Sequence, residues 1–297
     1  MTINSELEKI LLAKRKNPYS ESKSIQELRE EHRNNALAIL PIGTKLNKVN
    51  IESVPAEWVK CNKISSKYVF MFIHGGGYYR GSAEASRALA ARISSASHVT
   101  CLSIDYRLAP ENTYPAALED TYSVYMWLLK NGFASENIIV GGVSAGGGLT
   151  LALLLKLKEL DNPIPAAAVT MSPWTDMTQS GLSMKTNANL DPVISKSYLD
   201  RMATLYLKET NPITPFASPL FGNLEGLPPI LIQVGSAETM LEDSRRFAEK
   251  AKKAKVEVSL EIWDDMFHGW HGYAHVLKEA NLAINNIGKF VKKIIKL

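Results

Sequence analysis

Ile138-Ile139-Val140-Gly141-Gly142-Val143-Ser144-Ala145-Gly146-Gly147-Gly148 lies near the middle of the 297-residue chain and decides how the rest is read. A β-branched apolar run meets a serine flanked by glycines, and a leucine-rich helical stretch, Leu149 to Leu160, follows at once. The pattern predicts a buried strand, a sharp turn carrying Ser144, and a helix. Two readings of that serine stand at this point. It is a nucleophile on a strained turn, or it caps a helix behind an ordinary tight turn.

The same alternation spreads outward in both directions. Trp58 to Cys61, Tyr68 to Ile73, Val99 to Ile104, Ala166 to Ser172, Ile230 to Val234 and Val256 to Trp263 read as strands. Helical stretches separate them at Ser86 to Ser97, Pro115 to Lys130, Leu241 to Ala254 and His275 to Leu297. Near-continuous apolar strands between helices predict an α/β fold with a mostly parallel sheet covered on both faces. Residues 1–45 are polar and helical in pattern, with a short surface helix over Leu7 to Lys14 and a second stretch over Glu27 to Leu40. Residues 174–226 are rich in proline, hold one clear helical run at Ser197 to Leu207, and read as an insertion over the mouth of the domain.

Composition narrows the class. Hydrophobic residues make up 45% and charged residues 22%, which predicts a globular chain rather than a disordered one. No apolar run is long enough to span a bilayer, and Met1 to Glu8 is too acidic and polar for a secretory signal. Cys61 and Cys101 sit in strand-like runs and read as buried free thiols of a reducing, cytoplasmic compartment. The net charge of +4 is spread out, and Lys289, Lys292, Lys293 and Lys296 form the wet face of a terminal amphipathic helix, so no nucleic-acid partner is expected.

A serine hydroxyl is a weak nucleophile without a base in hydrogen-bond reach and an acid to orient that base. Gly142-Val143-Ser144-Ala145-Gly146 fits the pattern Gly-x-Ser-x-Gly. An acyl transfer also needs donors for a developing oxyanion, and His74-Gly75-Gly76-Gly77, directly after a strand, offers backbone N–H groups free of bulky side chains. A phosphate cradle is the rival for that loop, but no Gly-Lys-Ser/Thr follows it and no Gly-x-Gly-x-x-Gly opens a helix. The glycines Gly146 to Gly148 are poor helix formers, which implies a close backbone approach at the start of the helix.

His-Gly-Gly-Gly at 74–77, Asp105-Tyr106-Arg107-Leu108-Ala109-Pro110-Glu111, Tyr114-Pro115-Ala116-Ala117-Leu118-Glu119-Asp120 and the serine turn together resemble the hormone-sensitive-lipase family of α/β-hydrolase esterases. Ser218-Pro219-Leu220 and Gly226-Leu227-Pro228-Pro229 extend the resemblance, which covers about residues 45 to 297. It implies an α/β-hydrolase core over 46–173 and 227–297, capped by helices from 1–45 and 174–226. It implies Ser144 as nucleophile, an oxyanion hole from Gly76, Gly77 and Ala145, and a structural role for His74. The implied activity is serine carboxylester hydrolysis of short-chain acyl esters or small lactones, with no cofactor. The same triad in an amide or N-acyl deacetylase, and a non-catalytic small-ligand binder on the same scaffold, are the alternatives.

In such hydrolases the order is Ser, acid, His, so the base comes from His268, His271 or His275. His268 sits in a Phe-His-Gly turn after the last strand and matches the family. His271 and His275 read as solvated residues near a helix start, and their four-residue spacing is not taken as a metal site. Glu238 occupies the position where the family usually has Asp, and Asp243 is the second candidate. Asp264 and Asp265 are too near His268 in sequence to be the acid. Val143 replaces the family's usual Asp before the nucleophile, which implies different support behind the turn. Asp105 and Arg107 flank Tyr106 and read as an ion pair or a hydrogen-bonded loop, a structural role in either case. Tyr78 and Tyr79 are read either as substrate-pocket walls or as simple packing. The partner implied is a small ester, and the final helix offers a face for a homodimer.

Overall fold

Alternate residues of the strand Tyr68 to Ile73 belong to two different cores, and that division lays out the molecule. In a computed structural model of the chain, the described residues are 5–16, 22–35, 39–61 and 64–297. Residues 1–4, 17–21, 36–38 and 62–63, including Leu37 of the second helical stretch, lie outside them. Eight strands form one sheet: β1 (Thr44–Ile51), β2 (Val54–Cys61), β3 (Ser65–Ile73), β4 (Val99–Ile104), β5 (Ile138–Val143), β6 (Ala167–Met171), β7 (Ile230–Gly235) and β8 (Val258–Trp263). Their spatial order is β1-β2-β4-β3-β5-β6-β7-β8. β2 is antiparallel to both β1 and β4, and every other pairing is parallel.

Successive side chains on a strand point to opposite faces. Val69, Met71 and Ile73 therefore enter one core and Phe70 and Phe72 the other, and Ile138 and Val140 part from Ile139 in the same way. The first face is covered by α4 (Ala116–Lys130), α5 (Ala145–Glu159) and α8 (Leu241–Lys253), the second by α3 (Arg87–Ser97) and α9 (Lys278–Ile295). The apolar stripe of α9, Ala280, Ala283, Ile284, Ile287, Val291 and Ile295, is buried there. Helix α5 is buried from Ala145 through Leu155 without interruption, which is why its sequence carries no polar face until Lys156. Cys61 and Cys101 are buried free thiols on β2 and β4.

Two short helices, α1 (Ser5–Lys16) and α2 (Ile25–Asn35), precede the sheet, and α6 (Ser183–Thr186) and α7 (Lys196–Leu207) lie between β6 and β7. Strand β1 departs from the sequence reading, which places its first strand at Trp58 to Cys61. Its burial is confined to Ile51, with Thr44 and Val49 partly covered, so a sheet-edge strand bearing Lys45, Asn47, Lys48 and Asn50 shows no hydrophobic period. Lysines on such an edge oppose pairing with another chain.

Because β3, β5, β6, β7 and β8 run parallel and in register, their carboxyl ends share one edge of the sheet. Gly142 pairs with Ile73 on one side and Thr170 on the other, and Gly235 pairs with Trp263. Five loops leave this edge, and the candidate site is built from them.

Candidate active site

Ser144 is the first residue beyond β5 and has φ 57° and ψ −121°, a backbone conformation that a side-chain-bearing residue adopts only under strain. Backbone from the neighbouring strand holds the turn. The Ser144 N–H donates to Met171 O at 2.9 Å, and Ser144 O accepts from Gly148 N at 3.0 Å and Trp174 N at 3.1 Å. The glycines after it are demanded by close approach: a Cβ on Gly146 would strike the carbonyls of Ile73 and His74, and one on Gly148 the carbonyl of Trp174. The helix start therefore nests against β3 and the loop after β6, as the glycine run implies. Val143 is half-buried, packs with the apolar core and lines the cavity, so the support behind the turn is main-chain hydrogen bonding rather than a side-chain charge.

His268 follows β8 by five positions and reaches back to the serine, with Nε2 2.9 Å from Ser144 Oγ. Its Nδ1 lies 2.9 Å from Glu238 Oε2. Glu238 is 0% exposed and His268 7% exposed. Glu238 Oε1 accepts from Ser172 Oγ at 2.6 Å and from Gly235 N at 2.7 Å. With both oxygens engaged, the longer glutamate arm has one geometry in this loop. Burial presses the His268 pKa down, but the hydrogen bond and charge of Glu238, joined by the charge of Asp191, outweigh it and hold the pKa above the ordinary 6.5.

Asp191 and Ser172 have no signal in the sequence pattern. Asp191 is buried, and its carboxylate accepts from Val193 N at 3.0 Å, Ile194 N at 3.2 Å and Thr239 N at 3.1 Å. Burial, then the neighbouring charge of Glu238, raise its pKa against the pull of His268 and those N–H donors. The acid loop is also fastened from outside the sheet: Asn187 Nδ2 donates to Ser236 O at 2.9 Å and Glu238 O at 2.8 Å, and Ser183 Oγ to Thr239 O at 2.5 Å. Asp243, the second candidate for the acid, is turned elsewhere, accepting from Thr175 N at 2.8 Å and Asp176 N at 3.0 Å.

The glycine loop follows β3. Gly76 has φ +121° and Gly77 φ +61°, and the Gly76 carbonyl accepts from Tyr79 N at 3.3 Å and Arg80 N at 3.1 Å. Among the described residues, no hydrogen bond within the chain occupies the N–H groups of Gly76, Gly77 or Ala145. His74 is buried, stacks on Tyr106 with ring centroids 4.2 Å apart and bonds Gly75 O through Nδ1 at 2.8 Å, which makes it part of the loop's foundation. Helix α2 pins the loop from above: Arg29 donates to Tyr79 O at 2.7 Å and Ala109 O at 2.9 Å while gripping Glu111 at 2.8 and 2.7 Å. The Arg29 hydrogen bonds hold the Glu111 pKa down to about 2.

A cavity of about 450 Å³ opens over Ser144 and His268, with Gly75, Gly76, Gly77, Val143, Val193, Ile194 and Phe267 in its wall. Tyr78 and Tyr79 are not among its lining residues. Tyr78 stacks on Tyr206 at 3.9 Å, and the Tyr79 hydroxyl meets that of Tyr198 at 3.3 Å, so packing is the reading their positions favour. Asp105 and Arg107 hold loops as expected, but with separate partners: Asp105 accepts from Ala83 N at 2.5 Å, and Arg107 bonds Asp120 at 2.9 Å. The expectation that His271 is solvated fails. It is buried, with Nε2 3.1 Å from Gln233 Oε1, and burial drives its pKa to about 3. The reason is the preceding Trp270, which folds into the core and carries the next residue in with it. His275 is exposed, as expected. A second hollow of about 350 Å³ lies on β1 and β2 around Trp58 and Phe133; among the described residues its ionisable lining is Lys45 and Lys60, and no nucleophile meets a base there.

A strained serine turn between a central parallel strand and a buried helix, with a histidine delivered from the last strand, defines an α/β hydrolase. A family model described as the alpha/beta hydrolase fold matches residues 70–272. The chain is 39% identical over 244 residues to an acetyl-hydrolase of Streptomyces hygroscopicus, covering 82% of this chain and 81% of that protein. It is 35% identical over 251 residues to an esterase of Acinetobacter venetianus, covering 84% and 82%. It superposes on the crystal structure of an esterase from the bacterial hormone-sensitive lipase family with TM-score 0.96 and 40% identity, over 99% of this chain and 100% of that one. The corresponding figures for EstE5 soaked with p-nitrophenyl butyrate are 0.95, 37%, 99% and 100%. The chain belongs to the hormone-sensitive-lipase family of α/β-hydrolase carboxylesterases, and it is an esterase.

Proposed function

We propose that this esterase hydrolyses short-chain acyl esters or small lactones through a Ser144–His268–Glu238 triad and an acyl-enzyme. The observation that carries the reading is the continuous line from Ser144 Oγ to His268 Nε2 and from His268 Nδ1 to Glu238 Oε2, each step 2.9 Å. His268 Nε2 accepts the Ser144 proton as Oγ bonds to the ester carbonyl carbon. The N–H groups of Gly76, Gly77 and Ala145 receive the oxyanion. Collapse breaks the carbon–oxygen bond to the alcohol, which leaves with the proton from His268. A water molecule then gives its proton to His268, attacks the acyl carbon and releases the acid, and Ser144 recovers its proton. Glu238 stays ionised, keeps the imidazole Nδ1–H oriented and offsets the charge of the imidazolium.

The helical segments within 1–45 and 174–226 act in this reading as a cap on a core formed by 46–173 and 227–297. Lys14 of α1, His32 of α2 and Val193, Ile194 and Tyr198 of the second segment all line the cavity, which supports that division. A cavity of about 450 Å³ is in the range that suits a small ligand. The test is a series of p-nitrophenyl esters from acetyl to dodecanoyl, measured with the wild type and Ser144→Ala, with an acyl anilide alongside. The reading expects kcat/KM to peak among the short chains, to exceed that of the anilide, and to vanish in Ser144→Ala. Equal rates in the two proteins sink the triad, and a peak at long chains sinks the substrate class.

A further inference from the structure

Helix α2 turns one stripe inward. Ile25, Leu28, Arg29 and His32 follow the i, i+3, i+4, i+7 spacing of a single helical face, and Gln26, Glu27, Glu30 and Arg33 on the other side are exposed. Leu28 is buried in the core with Ile25 packed against it. The first turn is fixed by a reciprocal cap: Ser24 Oγ accepts from Glu27 N at 3.2 Å, and Glu27 Oε2 accepts from Ser24 N at 2.7 Å. This seating brings His32 to the cavity wall and Arg29 onto the loop that follows the glycines.

Four N–H groups of the Arg29 guanidinium are engaged. Two go to Glu111 and one to Ala109 O, and the Nε–H is left for Tyr79 O at 2.7 Å. Tyr79 and Ala109 are both 0% exposed, so their carbonyls depend on a protein donor. In a trans peptide the C=O of one residue and the N–H of the next share a plane and point in opposite directions, so fixing one aims the other. The unit that accepts from Arg29 through Tyr79 O carries the Arg80 N–H, which donates to Gly76 O at 3.1 Å. The unit that accepts there carries the Gly77 N–H. Two peptide units in series thus join the Arg29 guanidinium to one of the oxyanion donors. The Gly76 N–H is aimed in the same manner from below, because Gly75 O, in the same unit, accepts from His74 Nδ1 at 2.8 Å. A hydrogen-bond chain headed by a cation polarises each bond along it in one sense, and here that sense makes the Gly77 N–H a stronger donor.

We infer that Arg29 is a positioning residue of the oxyanion hole. From outside the reacting atoms it aims and polarises the Gly77 N–H through Tyr79 and Gly76, and the two-pronged grip of Glu111 keeps its planar fork in that orientation. Helix α2 is then part of the catalytic apparatus as well as a wall of the cavity. The inference rests on the oxyanion role given to Gly76, Gly77 and Ala145, and adds the group that acts behind them.

The test uses the full chain, wild type and Arg29→Ala, with p-nitrophenyl acetate as substrate and trifluoromethyl n-butyl ketone as inhibitor. With the ketone, Ser144 Oγ bonds to the carbonyl carbon, its proton passes to His268, and the carbonyl oxygen becomes an oxyanion in the hole. In Arg29→Ala, kcat/KM is expected to fall about a hundredfold with KM changed less than about threefold, and the ketone Ki to rise by a similar hundredfold factor. Ki is an equilibrium constant, so a smaller folded fraction leaves it unchanged. Millimolar guanidinium chloride is expected to restore the Arg29→Ala rate at least about fivefold, because the vacated site keeps Glu111 and both carbonyls, whereas tetramethylammonium chloride at the same concentration restores nothing. A loss carried by KM, a ketone Ki moved less than about threefold, or a loss that guanidinium does not reverse overturns the inference and leaves the triad standing. A ketone that binds the wild type and Ser144→Ala equally well overturns the nucleophile and oxyanion reading, and this inference with it.

Discussion

Glu238 holds His268 with one carboxylate oxygen, at 2.9 Å, while Ser172 and the Gly235 N–H hold the other at 2.6 and 2.7 Å. A carboxylate one methylene longer than aspartate is thereby fixed at both ends of its head group. The relationship predicts that arm length and charge matter separately. Glu238→Gln keeps the shape and loses the charge, and kcat/KM is expected to fall by about 10²–10⁴. Glu238→Asp keeps the charge but cannot reach both His268 and its own loop, and a loss nearer about tenfold is expected. Steady-state rates on p-nitrophenyl acetate distinguish the two; a harmless Glu238→Gln contradicts the assignment.

The pH dependence follows from His268. The imidazole must be neutral to accept the Ser144 proton, and its pKa is held above 6.5 against the effect of burial by Glu238 and Asp191. Activity therefore rises with pH along a limb centred above 6.5 in the wild type. Asp191→Asn removes one of the two negative charges, so this limb moves to lower pH, with the plateau reduced by less than about tenfold because the amide oxygen still accepts from Val193 and Ile194 and only the Thr239 N–H, held by the other carboxylate oxygen, loses its acceptor. A kcat/KM profile from pH 5 to 9 reads the shift. A limb that moves up, or stays, contradicts the role given to Asp191.

Asp243 gives a pH dependence of stability with the opposite cause from an ion pair. Burial first, then the charge of Asp176, raise its pKa from 3.8 to about 7. A folded pKa above the unfolded one stabilises fully below the unfolded pKa, and the contribution is lost as pH rises towards the folded value. Relative to Asp243→Asn, which does not titrate, the wild type loses stability between about pH 4 and 7, at up to about 1.4 kcal/mol per pH unit. Thermal melts of both proteins across that range measure it. A relative slope of the other sign contradicts the account.

Close packing behind the elbow makes a stability prediction. Gly146→Ala puts a methyl group against the carbonyls of Ile73 and His74. Overpacking of this kind costs about 1–3 kcal/mol, and more where only backbone can yield. Nothing lies within 4 Å of a Cβ built on Gly272. The expected result in differential scanning calorimetry is a Tm lowered by several degrees for Gly146→Ala and nearly unchanged for Gly272→Ala.

Strands β3 to β7 were legible because both faces of the sheet are covered, so their residues form apolar runs whichever way they point. β1 was not, since an exposed edge leaves Lys45, Asn47 and Lys48 free to be polar. The approach of Ser144, Glu238 and His268 was legible from three loops in a required order, each after a strand. Ser172 and Asp191 were not. Ser172 matters because β6 lies beside β7, and Asp191 because its loop folds back onto Thr239; both are facts of topology that no local pattern carries. The burial of His271 was hidden for the same reason, since its partner Gln233 is a polar residue inside β7. Tyr78 and Tyr79 show the limit of adjacency: they follow Gly76 and Gly77 in sequence, but Tyr78 stacks on Tyr206 and Tyr79 meets Tyr198 edge-on.

The central claim is that Ser144 is the nucleophile activated by His268. Intact-mass and peptide mass spectrometry of the protein treated with a fluorophosphonate tests it most directly. The account predicts one phosphonyl group per chain, on the peptide carrying Ser144, with ester hydrolysis lost in proportion to labelling and labelling slowed at least about a hundredfold in His268→Ala. Full hydrolytic activity with Ser144 unmodified, or stoichiometric label on another residue, would contradict it.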